Sequence, residues 1–255
     1  MNQAFSLVEL SIVLVILGLL TGGILTGQNL IRAAELRSIT TDLQRYQTAV
    51  QTFRGKYFAL PGDMPNATDF WGAANTGGTN GNCSNPHTDS GTGTQTCNGD
   101  GNGFIFGTGT FYERARHWQH LSNAGMIEGS YTGVAADYET LIIGENVPPL
   151  RIGSSSCMQI GHTVGTDPVY PNIIGKQIIF MGANIAGAPC QVPFVTPQEA
   201  WNLDKKLDDG NPAQGKFQTG LASTYVGCTD SDDEDVAAYL LSSTATACMV
   251  GFIPW

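Results

Sequence analysis

Phe5-Ser6-Leu7-Val8-Glu9-Leu10-Ser11-Ile12-Val13-Leu14-Val15-Ile16-Leu17-Gly18 opens a hydrophobic run that carries one carboxylate, Glu9, and then no charge from Leu10 to Ile31. At about 1.5 Å rise per residue, Leu10 to Ile31 makes a helix of roughly 33 Å, long enough to cross the hydrocarbon core of a bilayer. A carboxylate inside such a segment costs about 2.5–3.5 kcal/mol on insertion scales and calls for a partner. No Lys or Arg occurs before Arg32, so the chain offers no cation nearby. An α-amine created by proteolysis just upstream, on the same or a neighbouring chain, would supply the missing charge. A secretory signal peptide fits poorly, because the start has no base and Ile31-Arg32-Ala33 is a weak cleavage site. An ordinary single-span anchor explains the length of the run but not Glu9.

Downstream, Leu36, Ile39, Leu43, Tyr46, Val50, Phe53 and Tyr57 recur in steps of three and four, with Arg37, Asp42, Arg45 and Arg54 between them. This amphipathic stripe predicts that the same helix continues and packs one face on a soluble domain, with Gly55 as its stop signal. The pattern lasts too briefly before Pro61-Gly62 for a coiled-coil stalk. Gly18, Gly22, Gly23 and Gly27 either weaken the apolar half, at about 1 kcal/mol each relative to Ala, or let helices pack closely.

The string Ala4-Phe5-Ser6-Leu7-Val8-Glu9-Leu10 and the apolar run behind it resemble the amino terminus of type IV prepilins and type II secretion pseudopilins. The resemblance covers about the first 50 residues, with Ala4 where the family usually has Gly, and without the family's basic leader. It implies cleavage between Ala4 and Phe5 by a prepilin peptidase, N-methylation of Phe5, and pairing of Glu9 with the Phe5 amine of a neighbouring subunit. The implied division is a leader at 1–4, a transmembrane and assembly helix at 5–31, its amphipathic half at 32–56, and an extracytoplasmic head at 57–255. The implied partners are the peptidase, other pilin or pseudopilin subunits, and an inner-membrane assembly platform. The expected role is a structural subunit of a pilus or secretion pseudopilus, a minor one by the size of the head; a membrane-anchored adhesin or ligand-binding module that never polymerises is the alternative.

From Pro61 onward, 7 Lys plus Arg face 19 Asp plus Glu, a net charge of −12, whereas residues 1–60 sum to +2. A head of that sign does not attract phosphate, which argues against nucleic acid as its partner. The six cysteines suit an oxidising compartment. Sequential pairing, Cys83–Cys97, Cys157–Cys190 and Cys228–Cys248, is the simplest of the connectivities they allow. The first bridge would staple the Gly, Asn, Thr and Ser-rich stretch from Gly72 to Gly109, and the last is similar to the disulfide-bounded terminal loop of many type IV pilins. Zinc is the rival for the cysteines, but no C-x-x-C occurs.

Thr110-Phe111-Tyr112-Glu113, Thr196-Pro197-Gln198-Glu199 and Ser231-Asp232-Asp233-Glu234 each have the capping-box spacing, predicting three head helices. The first presents Phe111, Ala115, Trp118 and Leu121 and stops at Gly125; the second presents Ala200, Leu203 and Leu207 before Gly210; the third presents Val236, Tyr239 and Leu240. Strands are expected at Tyr138–Ile143, Leu150–Ile152, Met158–Ile160, Ile173–Met181, Val192–Val195, Lys216–Ala222 and Ala247–Ile253. The fold class is therefore α+β and pilin-like: a long amino-terminal helix against a mainly antiparallel sheet, with short extra helices and stapled loops.

Asn98-Gly99-Asp100-Gly101-Asn102-Gly103-Phe104-Ile105 has oxygen side chains at alternate positions, like the opening of a calcium loop, with Asn98, Asp100 and Asn102 as ligands. Gly109 stands where the closing acid belongs, so Glu113 would have to serve from farther along; a plain Asn-Gly turn is the other reading. The acids Asp230, Asp232, Asp233, Glu234 and Asp235 are expected in the first turn of the third helix, where its dipole favours them. His117 and His120 are expected, with Arg114 and Arg116, on a solvated helix face rather than on a metal. No G-x-S-x-G, H-E-x-x-H or phosphate loop occurs, and Gly107-Thr108-Gly109 is too little for a dinucleotide site, so no enzymatic activity is expected.

Overall fold

In the computed structural model, residues 7–78, 82–105, 112–135, 141–153, 155–162, 175–185, 188–221 and 225–254 are described. One α-helix, α1, runs from Leu7 to Tyr57, with Ile39, Leu43, Val50 and Phe53 buried and Leu36, Tyr46 and Tyr57 packed at the edge of the same core. Its amino-terminal half is long and apolar enough to cross a membrane and is not buried against any described residue. Gly55 does not end it. The helix continues to Tyr57, where rings gather: Phe53 and Tyr57 lie 4.5 Å apart and Tyr57 and Trp71 5.4 Å apart. Burying these aromatics outweighs the freedom of one glycine. Phe58 then takes the left-handed turn, φ 55°, while its N–H still reaches Arg54 O at 2.9 Å.

Among the described residues, one short helix and two longer ones complete the helical part: α2, Ala67–Trp71, which no sequence signal announced; α3, Tyr112–Asn123; and α4, Pro197–Leu207. α3 buries Ala115, Trp118 and Leu121 and closes in a Schellman turn: Gly125 adopts φ 69°, its N–H donates to Ser122 O, and Met126 N–H donates to Leu121 O. The expected start of α3 at Thr110 and Phe111, and the Gly107-Thr108-Gly109 fragment, lie outside the described residues. α4 opens with the full capping box. Thr196 Oγ1 accepts from Glu199 N at 3.3 Å, and Glu199 Oε2 accepts from Thr196 N at 2.9 Å.

Among the described residues, five strands form one antiparallel sheet: β1 Ser156–His162, β2 Gln177–Ile185, β3 Ala188–Val192, β4 Phe217–Thr219 and β5 Val250–Phe252. The order is β1-β2-β5-β4, with β3 also on β2. Ser156 pairs with Ala183 through to His162 with Gln177, and Met181 with Val250. Met158, Ile160, Ile179 and Met181 join α1, α3 and α4 in the main core, while Ile178 and Phe180, pointing the other way, cluster with Met249 and Ile253.

Several expected elements differ. No helix forms at Ser231–Glu234. Ser231 Oγ accepts from Asp233 N at 3.0 Å and Asp230 Oδ1 from Ala238 N at 2.8 Å, so short polar side chains hold the backbone in turns instead. Consecutive acids also repel within a helical turn, and the dipole account of Asp230–Asp235 falls with the helix. Leu150–Ile152 is a bend rather than a strand, because Pro148 and Pro149 lack N–H donors and Leu150 N–H closes the turn onto Ser156 O. The strand expected at Val192–Val195 ends where it should begin, at Val192; Pro193 interrupts the ladder and Phe194 and Val195 donate to Cys248 O. Leu141–Ile143 is irregular apart from a bridge from Ile143 to Val147, and residues 138–140 lie outside the described set.

Cys83–Cys97, Cys157–Cys190 and Cys228–Cys248 are disulfide-bonded, with Cα separations of 5.4, 5.1 and 5.0 Å. The second ties β1 to β3 across β2; the third encloses the acidic turn region.

Candidate functional site

The first candidate is the free half of α1. Every large hydrophobic residue from Leu7 to Ile31 is at least half exposed, from 50% at Ile16 to 88% at Leu7. Ser11, Thr21 and Thr26 turn their hydroxyls back onto the carbonyls of Val8, Leu17 and Gly22, which removes their need for water. Glu9 lies in the first turn; Ala4 and Phe5 lie outside the described residues. This half meets the head at Arg32, whose Nε and Nη2 donate to Glu199 Oε1 and Oε2 at 2.6 and 2.9 Å, with Phe194 O at 3.3 Å from Nη2. The hydrogen bond to Glu199 raises the Arg32 pKa. Burial works against ionisation of Glu199, but Arg32 and the Thr196 amide hold its carboxyl below the usual value. One glutamate thus caps α4 and anchors the first cation beyond the apolar run.

The second candidate is the loop from Asn98 to Ile105. Of the three expected ligands only Asp100 joins a carboxylate cluster. Asn98 Oδ1 accepts from Thr68 N at 2.8 Å, and Asn102 Oδ1 accepts from Phe104 N at 2.8 Å. The partners of Asp100 are Asp63 and Glu113, whose oxygens lie with its own within 4.8 Å of one another. Asp63 is brought in by the Pro61-Gly62 turn, where Gly62 has φ 91° and any Cβ would strike the carbonyl oxygen of Glu113. Its carboxylate accepts from Asn102 N and Gly103 N, both at 2.9 Å. Burial pushes Asp63 up to about 6, and the neighbouring Asp100 adds to this against the two amides. Three such oxygens are the hard donors a calcium ion takes, so at this loop the carboxylates that could hold one are Asp63, Asp100 and Glu113. Glu113 was legible only as an acid serving from beyond the closing position held by Gly109, whereas Asp63, far off in sequence, was not legible at all.

The expected solvated face of α3 does not exist. His117, His120 and Arg116 are 0–1% exposed and Arg114 is 7% exposed. Loops cover the helix and answer both imidazoles and Arg116. His120 Nδ1 accepts from Gly62 N at 2.9 Å and its Nε2 lies 3.0 Å from Thr96 Oγ1; His117 Nδ1 sits 3.0 Å from Pro61 O. Arg116 donates to Asp89 O and Pro86 O at 2.6 and 3.1 Å, and to Gln119 Oε1 at 2.8 Å. Burial pushes both imidazoles down to about 3, so they are neutral structural hydrogen-bonding groups. Comparison with protein-family models, characterised proteins and solved structures finds no match for this chain.

Proposed function

We propose that this chain is a pilin-like structural subunit, assembled by its amino-terminal helix into a type IV pilus or type II secretion pseudopilus. The observation that carries this reading is a helix whose apolar half leaves the head with all its large side chains exposed and a carboxylate, Glu9, at its start. In the bilayer those side chains are covered by lipid. In a filament they are covered by the same segment of neighbouring copies, and a Phe5 amine freed by cleavage after Ala4 offers Glu9 its counter-charge and sets axial register. A prepilin peptidase supplies that amine, and an inner-membrane platform extracts the helix. The head, acidic and stapled by three disulfides, then faces the extracytoplasmic side.

The amino-terminal peptide of membrane-extracted protein, read by mass spectrometry, tests the processing step: N-methyl-Phe5 supports it, and an intact Met1 moves the assignment to a membrane-anchored binding protein that does not polymerise. Glu9→Ala tests assembly. The variant should insert and be cleaved as the parent is, while filament yield falls by at least tenfold; unaltered yield removes Glu9 from the assembly role.

A further inference from the structure

Between α1 and the segment from Met126 to Tyr131 lies a cavity of about 320 Å³ whose lining includes Asp42, Tyr46, Tyr131, Arg45, Arg151 and Glu128. Its volume falls at the lower end of the range of small-ligand sites, about 300–1,000 Å³. Asp42 is only 6% exposed, yet among the described residues no group donates a hydrogen bond to it: Arg45 Nη1 stands 3.6 Å from Oδ1 and Arg151 Nε 4.0 Å from Oδ2. The phenols of Tyr46 and Tyr131 line the same space and make no hydrogen bond to a described residue. A carboxylate nine-tenths buried without a hydrogen-bond donor is costly. Here that carboxylate and two phenols line one space: Tyr131 is as buried as Asp42, and Tyr46 is half-buried.

The charges around the cavity select the ligand. Arg45 and Arg151 disfavour a cation beside Asp42, while Asp42 and Glu128, the latter 3.3 Å from Arg45 Nη2, disfavour an anion beside the guanidiniums. What remains is a neutral molecule that both donates and accepts several hydrogen bonds. Vicinal hydroxyls do this: one donates to a carboxylate while the next accepts from a guanidinium or a phenol. Tyr46 is fixed edge-on against Trp118 at 5.1 Å, and Met126 and Pro149 supply apolar wall for the C–H face of a ring. We infer that this cavity binds a neutral sugar residue, with Asp42 as hydroxyl acceptor, Arg45 and Arg151 as donors, and Tyr131 as orienting hydroxyl. The site is independent of whether the helix polymerises.

The test is saturation-transfer NMR on the full chain in sugar-free lauryldimethylamine oxide micelles, with the methyl glycosides of glucose, galactose, mannose and N-acetylglucosamine, and with glucuronate and glucosamine as charged comparators. At least one neutral glycoside should bind and outcompete both charged sugars. Tyr131→Phe, which keeps the ring, and Arg151→Ala, whose side chain is 62% exposed, should each weaken it at least tenfold with the thermal midpoint unchanged. Absence of binding by every glycoside, equal binding by both variants, or preference for a charged sugar overturns the assignment.

Discussion

At the residue scale, four buried titratable groups pull stability in opposite directions with pH. Burial lifts Asp63 to about 6 and Asp204 to about 7 from the ordinary 3.8. Each holds a proton in the fold that the unfolded chain has lost, so its contribution is full below about pH 4 and is lost as the pH rises through the folded value. His117 and His120, lowered to about 3 from 6.5, contribute in full above about pH 6.5 and lose that contribution as the pH falls. The unfolding free energy should therefore be nearly flat between about pH 4 and 6.5. Asp204→Asn keeps the contacts to Tyr239 Oη and Gly210 N, both 2.9 Å in the parent, but removes the titration. It should lose up to about 1.4 kcal/mol per pH unit relative to the parent on acidification from 6.5 to 5, read from denaturant midpoints; parallel profiles would show that Asp204 holds no proton. Phe58 offers a second test at this scale. It sits at φ 55° and is 92% exposed, so it bears left-handed strain with little burial in return. Phe58→Gly should raise stability by about 1 kcal/mol in thermal unfolding. A lowered midpoint would mean that the ring packs on something.

The elements are held by few but long-range ties. β3 meets the sheet through two register pairs with a shift between them, and the Cys157–Cys190 bridge binds it to β1. Replacing both cysteines by Ala should cost about 3–4 kcal/mol by the loop-entropy relation, and hydrogen exchange should rise first in β3 and the adjoining end of β2. Uniform exchange across the head would place the bridge outside the weakest unit. α4 illustrates what local sequence carries. Thr196 and Glu199 were legible as a capping box because the interaction spans three residues. That the same Glu199 also holds Arg32, 167 residues away, was not, since nothing local to either residue records the other. α3 shows the converse error. Its His and Arg side chains read as solvent-facing by type, but loops from Pro61, Pro86 and Thr132 lie over them and supply backbone carbonyls.

At the scale of the whole molecule, the buried core begins on α1 at Ile39, and among the described contacts Arg32 is where the helix first bonds to the head. A chain that starts at Ile31 should therefore fold with a thermal midpoint within a few degrees of the full chain and stay monomeric without detergent, as size-exclusion chromatography and calorimetry would report. Collapse of the truncated head would mean that the apolar half takes part in the fold.

Sequence by itself determined the long helix, its division into an apolar and an amphipathic half, the caps of α4 and the Gly125 stop, and a mainly antiparallel sheet. Each of these rests on periodicity or on contacts within one turn. Only the tertiary structure decided that Gly55 is passed over in favour of ring packing at Tyr57, that Ser231–Glu234 forms turns, and that α3 is buried on every side. It also decided that Asp63 stands with Asp100 and Glu113, and that Asp42, Tyr46 and Tyr131 converge. For the Ser231–Glu234 turns the reason is short polar side chains bonding nearby backbone amides; for the others it is burial and hydrogen bonding between segments far apart in the chain, which outweigh local propensity.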